Sequence, residues 1–146
     1  MRREVKDEYI RQYLLGRGGI EQMTAADWGS IGGDLAFQYR KLDDFTAQIE
    51  AGLLSEAQVI ARAQMYVNSA RKAYEKGNVR ALGLPELPQY PADGQQICLS
   101  NCKCFWRIEE VPEGGWDCYW ELMPAEHCET CLENNDKWFP LEIRIA

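Results

Sequence analysis

No run of the 146-residue chain approaches 18 apolar residues, which excludes a transmembrane helix. An export signal is missing too: the one candidate hydrophobic region, Tyr9–Leu15, is interrupted by Arg11, so synthesis in a reducing cytoplasm is the expectation. Basic residues are scarce beyond residue 80. There, four Lys/Arg stand against twelve Asp/Glu, a balance of −8, whereas residues 1–80 hold twelve against eleven, a balance of +1. Phosphate binding rests on Lys and Arg, so the acidic half argues against direct nucleic-acid binding by residues 81–146. There is no phosphate-binding loop, since Gly16-Arg17-Gly18-Gly19 lacks the preceding strand and the Lys. The carboxylates of residues 109–142 show no spacing that pairs a nucleophile with a base. No catalytic constellation is visible, and the chain does not read as an enzyme.

The composition can still support a core: 46% of residues are hydrophobic and 11% aromatic, with five Trp and seven Tyr. In the first half the apolar spacing is helical. Val5, Tyr9, Ile10, Tyr13 and Leu14 form a stripe that ends at Gly16, Gly18 and Gly19, predicting a first helix over about 3–15. Thr24 with Asp27 resembles a helix start, and Leu35, Tyr39, Leu42, Phe45 and Ile49 line one side of a second helix, about 24–51. Gly29, Gly32 and Gly33 weaken its early turns by about 1 kcal/mol each, which predicts a break or bend near residue 32. Ser55 with Gln58 is a capping-box pattern that opens a third helix, about 55–77, closed by a left-handed cap at Gly77. Its small residues and the Leu53-Leu54 link make it an antiparallel partner of the second helix. Tyr13, Trp28, Tyr39 and Tyr66 are expected to offer aromatic surface to a partner.

Pro85, Pro88 and Pro91 fall at three-residue intervals, which forbids a helix. Residues 81–97 therefore read as an extended connector ending in an Asp93-Gly94 turn. It divides a helical arm, residues 1–80, from a Cys-rich module, residues 98–146. In that module Cys102, Cys104, Trp106 and Ile108 alternate along one strand and Cys118, Trp120 and Leu122 along the next, giving a β-hairpin of residues 102–110 and 116–123. A last short strand fits residues 141–145. The fold class is α+β: helices followed by a small zinc-ribbon-like hairpin module.

All six Cys lie in the acidic half. Cys128-Glu129-Thr130-Cys131 is a knuckle whose two-residue gap lets both thiolates reach one tetrahedral ion. Cys98, Cys102 and Cys104 precede the hairpin, which returns the chain to its own start and so delivers both groups to one place. Cys104 and Cys102 share a strand face roughly 7 Å apart, and Cys98 with Cys102 needs less distortion. The candidate metal ligands are thus Cys98, Cys102, Cys104, Cys128 and Cys131, for a structural Zn2+ with a closed shell and no activated water. The alternative is a disulfide or simply buried thiols. Cys118 pairs across from Ile108 near the hairpin tip and reads as a small buried hydrophobe; His127 reads as a surface or supporting residue rather than a ligand. A redox role for the knuckle is disfavoured, because it follows a hairpin and Pro124 rather than a strand of a βαβ unit.

Gly83-Leu-Pro-Glu-Leu-Pro-Gln-Tyr-Pro-Ala-Asp-Gly94, Cys98-Leu-Ser-Asn-Cys102-Lys-Cys104-Phe-Trp106, Ala125-Glu-His-Cys128-Glu-Thr-Cys131 and Trp138-Phe-Pro-Leu141 together resemble a family of tailed-bacteriophage minor head, or head-morphogenesis, virion proteins. The helical stretches Ile49–Gly52, Ala61–Tyr66 and Ala73–Gly77 are similar too, so the resemblance covers roughly residues 35–145. Asn101-Cys102-Lys103-Cys104 is also similar to the Cys-Arg-Cys ending of Mu-like minor head proteins. Their longer upstream domain has no counterpart in these residues, so their place in the capsid does not carry over. The resemblance implies a structural role in the virion, in several copies, against major capsid, portal or neck proteins, after synthesis in the host cytoplasm. It implies no activity. A soluble cytoplasmic zinc-binding adaptor is the other reading.

Overall fold

The computed structural model describes residues 2–93, 103–123 and 127–145, the Val67 side chain apart. Four helices come first: α1 (Arg2–Arg17), α2 (Ala25–Glu50), α3 (Glu56–Asn68) and α4 (Arg71–Ala81). They are followed by β1 (Phe105–Glu110), β2 (Gly115–Glu121), a fifth helix α5 (Glu129–Lys137) and β3 (Leu141–Arg144). The chain is α+β, as its patterning indicates. Among the described residues no helix is long and apolar enough to cross a membrane.

The expected caps form. Thr24 accepts from the Asp27 amide through its hydroxyl while Asp27 Oδ2 accepts from the Thr24 amide, a complete capping box. Ser55 and Gln58 exchange the same pair of bonds, at 3.2 and 2.9 Å. After α1, Gly18 and Gly19 take φ of 100° and 117°, a region closed to most side chains.

Three helix expectations need correction. α2 is one continuous helix with no break at residue 32. Burial of Ile31, Leu35, Leu42 and Phe45 along one side outweighs the propensity cost of its glycines. The third helix is instead two, divided at Ser69-Ala70, where the Ser69 hydroxyl donates to the Tyr66 carbonyl at 2.7 Å and draws the chain into a turn. Gly77 is not a cap: α4 runs past it to Ala81. A Cβ on Gly16 would lie 2.1 Å from the Tyr74 carbonyl oxygen, so these two glycines are where α1 and α4 approach backbone to backbone.

Two cores result. In the first, Val5, Tyr9 and Tyr13 of α1 pack with Ile31, Leu35, Leu42 and Phe45 of α2 and with Tyr66, Ala70 and Ala73. The α2–α3 pair is antiparallel as expected: the Phe45 and Tyr66 rings lie 5.5 Å apart, and the Tyr66 hydroxyl donates to the Lys41 carbonyl at 2.9 Å. Tyr13 and Tyr66, expected on the surface, are therefore buried, Tyr39 is half-buried, and Trp28 alone of the four stands exposed.

The second core joins the two halves of the chain. Val79 of α4 and Leu84, Leu87 and Tyr90 of the connector are buried with Trp106, Trp120, Trp138 and three Cys. The connector is docked. The Trp106 indole donates to the Gln89 carbonyl at 2.9 Å. A turn centred on Pro91-Ala92 is closed by the Asp93 amide bonded to the Tyr90 carbonyl, with Ala92 at φ 66°; the expected Asp93-Gly94 turn runs into Gly94, which lies outside the described residues. The sheet is antiparallel in the order β1-β2-β3. Its register places Ile108 opposite Cys118 and Trp106 opposite Trp120, as the alternation requires.

Candidate metal centre and carboxylate clusters

The five cysteines read as ligands are distributed unevenly. Cys98 and Cys102 lie outside the described residues. Cys104 sits just before β1 and Cys131 in the first turn of α5; both are buried, and Cys128 is half-buried at the edge of the same core. The hairpin thus does bring the two ends of its chain segment into one core. Cys128 is the N-cap of α5, so the knuckle bridges an extended residue and a helical one. The backbone leading to Cys104 is held from α4: Arg71 Nη2 donates to the carbonyls of Lys103 and Cys104, both at 2.8 Å.

Among the described residues, no three of His, Cys, Asp or Glu come together as a metal-binding group. At most two of the described thiols can therefore share one site, and a tetrahedral thiolate set would require both Cys98 and Cys102. The chemistry of the neighbourhood fits a thiolate site in one respect. The Trp120 indole N–H is fully buried, within the same core cluster as these thiols, and has no hydrogen-bond partner among the described residues; an unspent buried donor favours anionic acceptors nearby. His127, half-buried, precedes the knuckle.

Cys118 is different. It is wholly buried on β2, and burial, aided by the charge of Asp117, pushes its thiol up to about 11. It stays protonated and inert at neutral pH.

Sequence reasoning missed α5 altogether. Its signal was the spacing of Cys131, Asn134 and Trp138, all buried, at steps of three and four; two Asn and four charges in nine residues hid it. Asn134 Nδ2 donates to Gln89 Oε1 at 3.0 Å and Asn135 Nδ2 to the Trp120 carbonyl at 2.8 Å, so those polar side chains fasten the helix to connector and sheet.

Two carboxylates of α2, one buried and one half-buried, were missed as well. Asp27 is completely buried. Burial opposes its charge, but bonds from the Thr24 backbone, the Tyr13 and Thr24 hydroxyls and Arg17 outweigh that and hold it at about 2. Arg80 adds an ion pair at 3.5 Å. One helical turn pair further on, Asp34 accepts from the Tyr9 hydroxyl, Lys72 Nζ at 3.1 Å and Lys76 Nζ at 2.9 Å. Burial opposes its charge too, and these donors lower it below the ordinary carboxylate value. Both clusters tie α1, α2 and α4 together.

Compared with known proteins, the chain matches no family model, no curated protein and no solved structure.

Proposed function

We propose that this chain is a non-catalytic structural component of a tailed-phage virion, bound to major capsid, portal or neck proteins, with a C-terminal module closed by a structural Zn2+. The observation that carries the protein-binding part is the apolar surface left on the helical unit. Trp28, Phe37, Leu53 and Ile60 are 42, 43, 71 and 63% exposed, and large side chains of this kind are what a protein interface covers. The interior carboxylates support the same reading, because Asp27 and Asp34 are spent on holding helices together. The virion assignment itself rests on the resemblance of residues 35–145 to minor head proteins.

For the metal, Cys128 and Cys131 with Cys98 and Cys102 supply thiolates enough for a closed zinc shell. Such an ion would brace a small module whose core would otherwise be marginal. Two measurements test the proposal. Mass spectrometry of purified particles should find the chain at fixed stoichiometry, and elemental analysis of the purified protein should find about one zinc per chain, lost in Cys131→Ala. Particles without the chain would refute the virion role; metal-free folded protein would refute the zinc site.

A further inference from the structure

Tyr13 of α1, Ser30 of α2, Lys76 and Arg80 of α4, and Glu86 and Tyr90 of the connector line an open cleft of about 220 Å3. We propose that this cleft binds the carboxylate side chain of an acidic peptide segment on a partner protein. The inference rests on the reading of the chain as a protein-binding component and uses neither the zinc site nor the virion assignment.

Charge is the first argument. Two cations line the cleft, Lys76 and Arg80; they pair with Asp34 and Asp27, carboxylates that also engage Lys72 and Arg17. Glu86, the acid on the lining, stands 3.5 Å from Lys76, and its side chain is 73% exposed. The lining itself thus carries two cations against one carboxylate, a surplus that a single carboxylate neutralises and a phosphate dianion overshoots.

Unspent donors are the second. Arg80 approaches Asp27 most closely through Nε, at 3.5 Å, and its N–H groups have no hydrogen-bond partner among the described residues, although the side chain is 44% exposed and lines the cleft. The guanidinium end offers a forked pair of N–H groups of the kind that grips a carboxylate. The Ser30 hydroxyl likewise has no hydrogen-bond partner among the described residues and lines the same cleft. Lys76 and Arg80 are fixed beforehand by Asp34 and Asp27, so little ordering is needed on binding. The Glu86 side chain, held by one exposed ion pair worth little, already places a carboxylate at Lys76 and can yield to an incoming one. The volume suits one acidic side chain and is below that of a cofactor site.

The test is an NMR titration of backbone amides in the full chain with acetyl-Gly-Glu-Gly-amide, its Gln counterpart and inorganic phosphate. Saturable shifts at Ser30, Arg80 and Tyr90 are expected with the Glu peptide, weakened by salt, and at least about tenfold weaker binding with the Gln peptide. Arg80→Gln should weaken binding about tenfold and Glu86→Gln should strengthen it about threefold by removing a competitor. Asp27 keeps its other donors in Arg80→Gln; should that variant still lose its helical circular dichroism, Ser30→Ala takes its place and should bind more weakly. Absence of saturable shifts, equal binding of the Gln peptide, or indifference to these substitutions overturns the proposal, as does tighter binding of phosphate than of the Glu peptide. Absence of the chain from particles would refute the virion role and leave this binding untouched.

Discussion

Gly77 of α4 meets Gly16 of α1 so closely that a Cβ on Gly77 would stand 3.3 Å from the Gly16 carbonyl carbon and 2.4 Å from the Tyr13 carbonyl oxygen. Neither obstacle is a flexible side-chain end, so neither can swing away. Gly77→Ala and Gly16→Ala should each destabilise the chain by about 3 kcal/mol or more, read as a lower urea midpoint with an unchanged slope. Wild-type stability in Gly77→Ala would mean that the two helices do not cross here.

The opposite outcome is expected on α2. A Cβ at Gly29, Gly32 or Gly33 would meet nothing within 4 Å. Alanine at each site should stabilise the isolated chain by about 1 kcal/mol through helix propensity alone, measured by thermal or urea unfolding. A loss of stability would show that something in the fold approaches this side of the helix.

Acid should unfold the helical unit in a defined window. The Asp27 carboxyl falls from its ordinary 3.8 when unfolded to about 2 when folded, so its contribution is fully present above about pH 4 and is lost as pH falls through about 2. The linkage amounts to about 2 kcal/mol, and Asp34 shifts in the same direction. Urea unfolding at pH 5, 4, 3 and 2 should show a steep decline for wild type and a flatter one for Asp27→Asn, which starts from lower stability. Parallel curves would remove Asp27 from the account.

Cys118 should behave as packing. In the native state it should resist alkylation at pH 8, because its thiol is buried and held up at about 11. Cys118→Ala should cost about 1 kcal/mol for the small cavity and leave the zinc content unchanged. Loss of zinc in that variant would make Cys118 a ligand and overturn the division of the thiols drawn above.

The parts of the fold legible in the sequence were those governed by local rules. Thr24 with Asp27 and Ser55 with Gln58 announce helix starts because the caps are made within four residues. Cys118 opposite Ile108 follows from alternation plus a Gly-rich turn. What escaped reading depends on distant partners. Gly77 looks like a helix end until α1 is laid against it, and the Ser69 turn exists because α4 must lie along α1. Asp27 reads only as part of a helix start and Asp34 gives no local signal; only the fold shows Tyr13, Arg17, Lys72 and Lys76 converging on them. Of the candidate metal site, the burial of Cys104 and Cys131 in one core was foreseeable from the hairpin. The helix that carries Cys131 was not, since its buried face is partly asparagine.

The docked connector changes what it would mean to cut this chain. Three prolines mark residues 85–91 as the obvious place to separate an arm from a module, yet Val79 and Leu84 on one side share a core with Trp106 and Trp120 on the other. Severed near residue 82, the N-terminal piece would lose the cover over Val79 and the C-terminal piece would expose its tryptophans, so each half should aggregate alone and dissolve when mixed with the other. The segment that resembles a spacer is the seam along which the two halves chaperone each other.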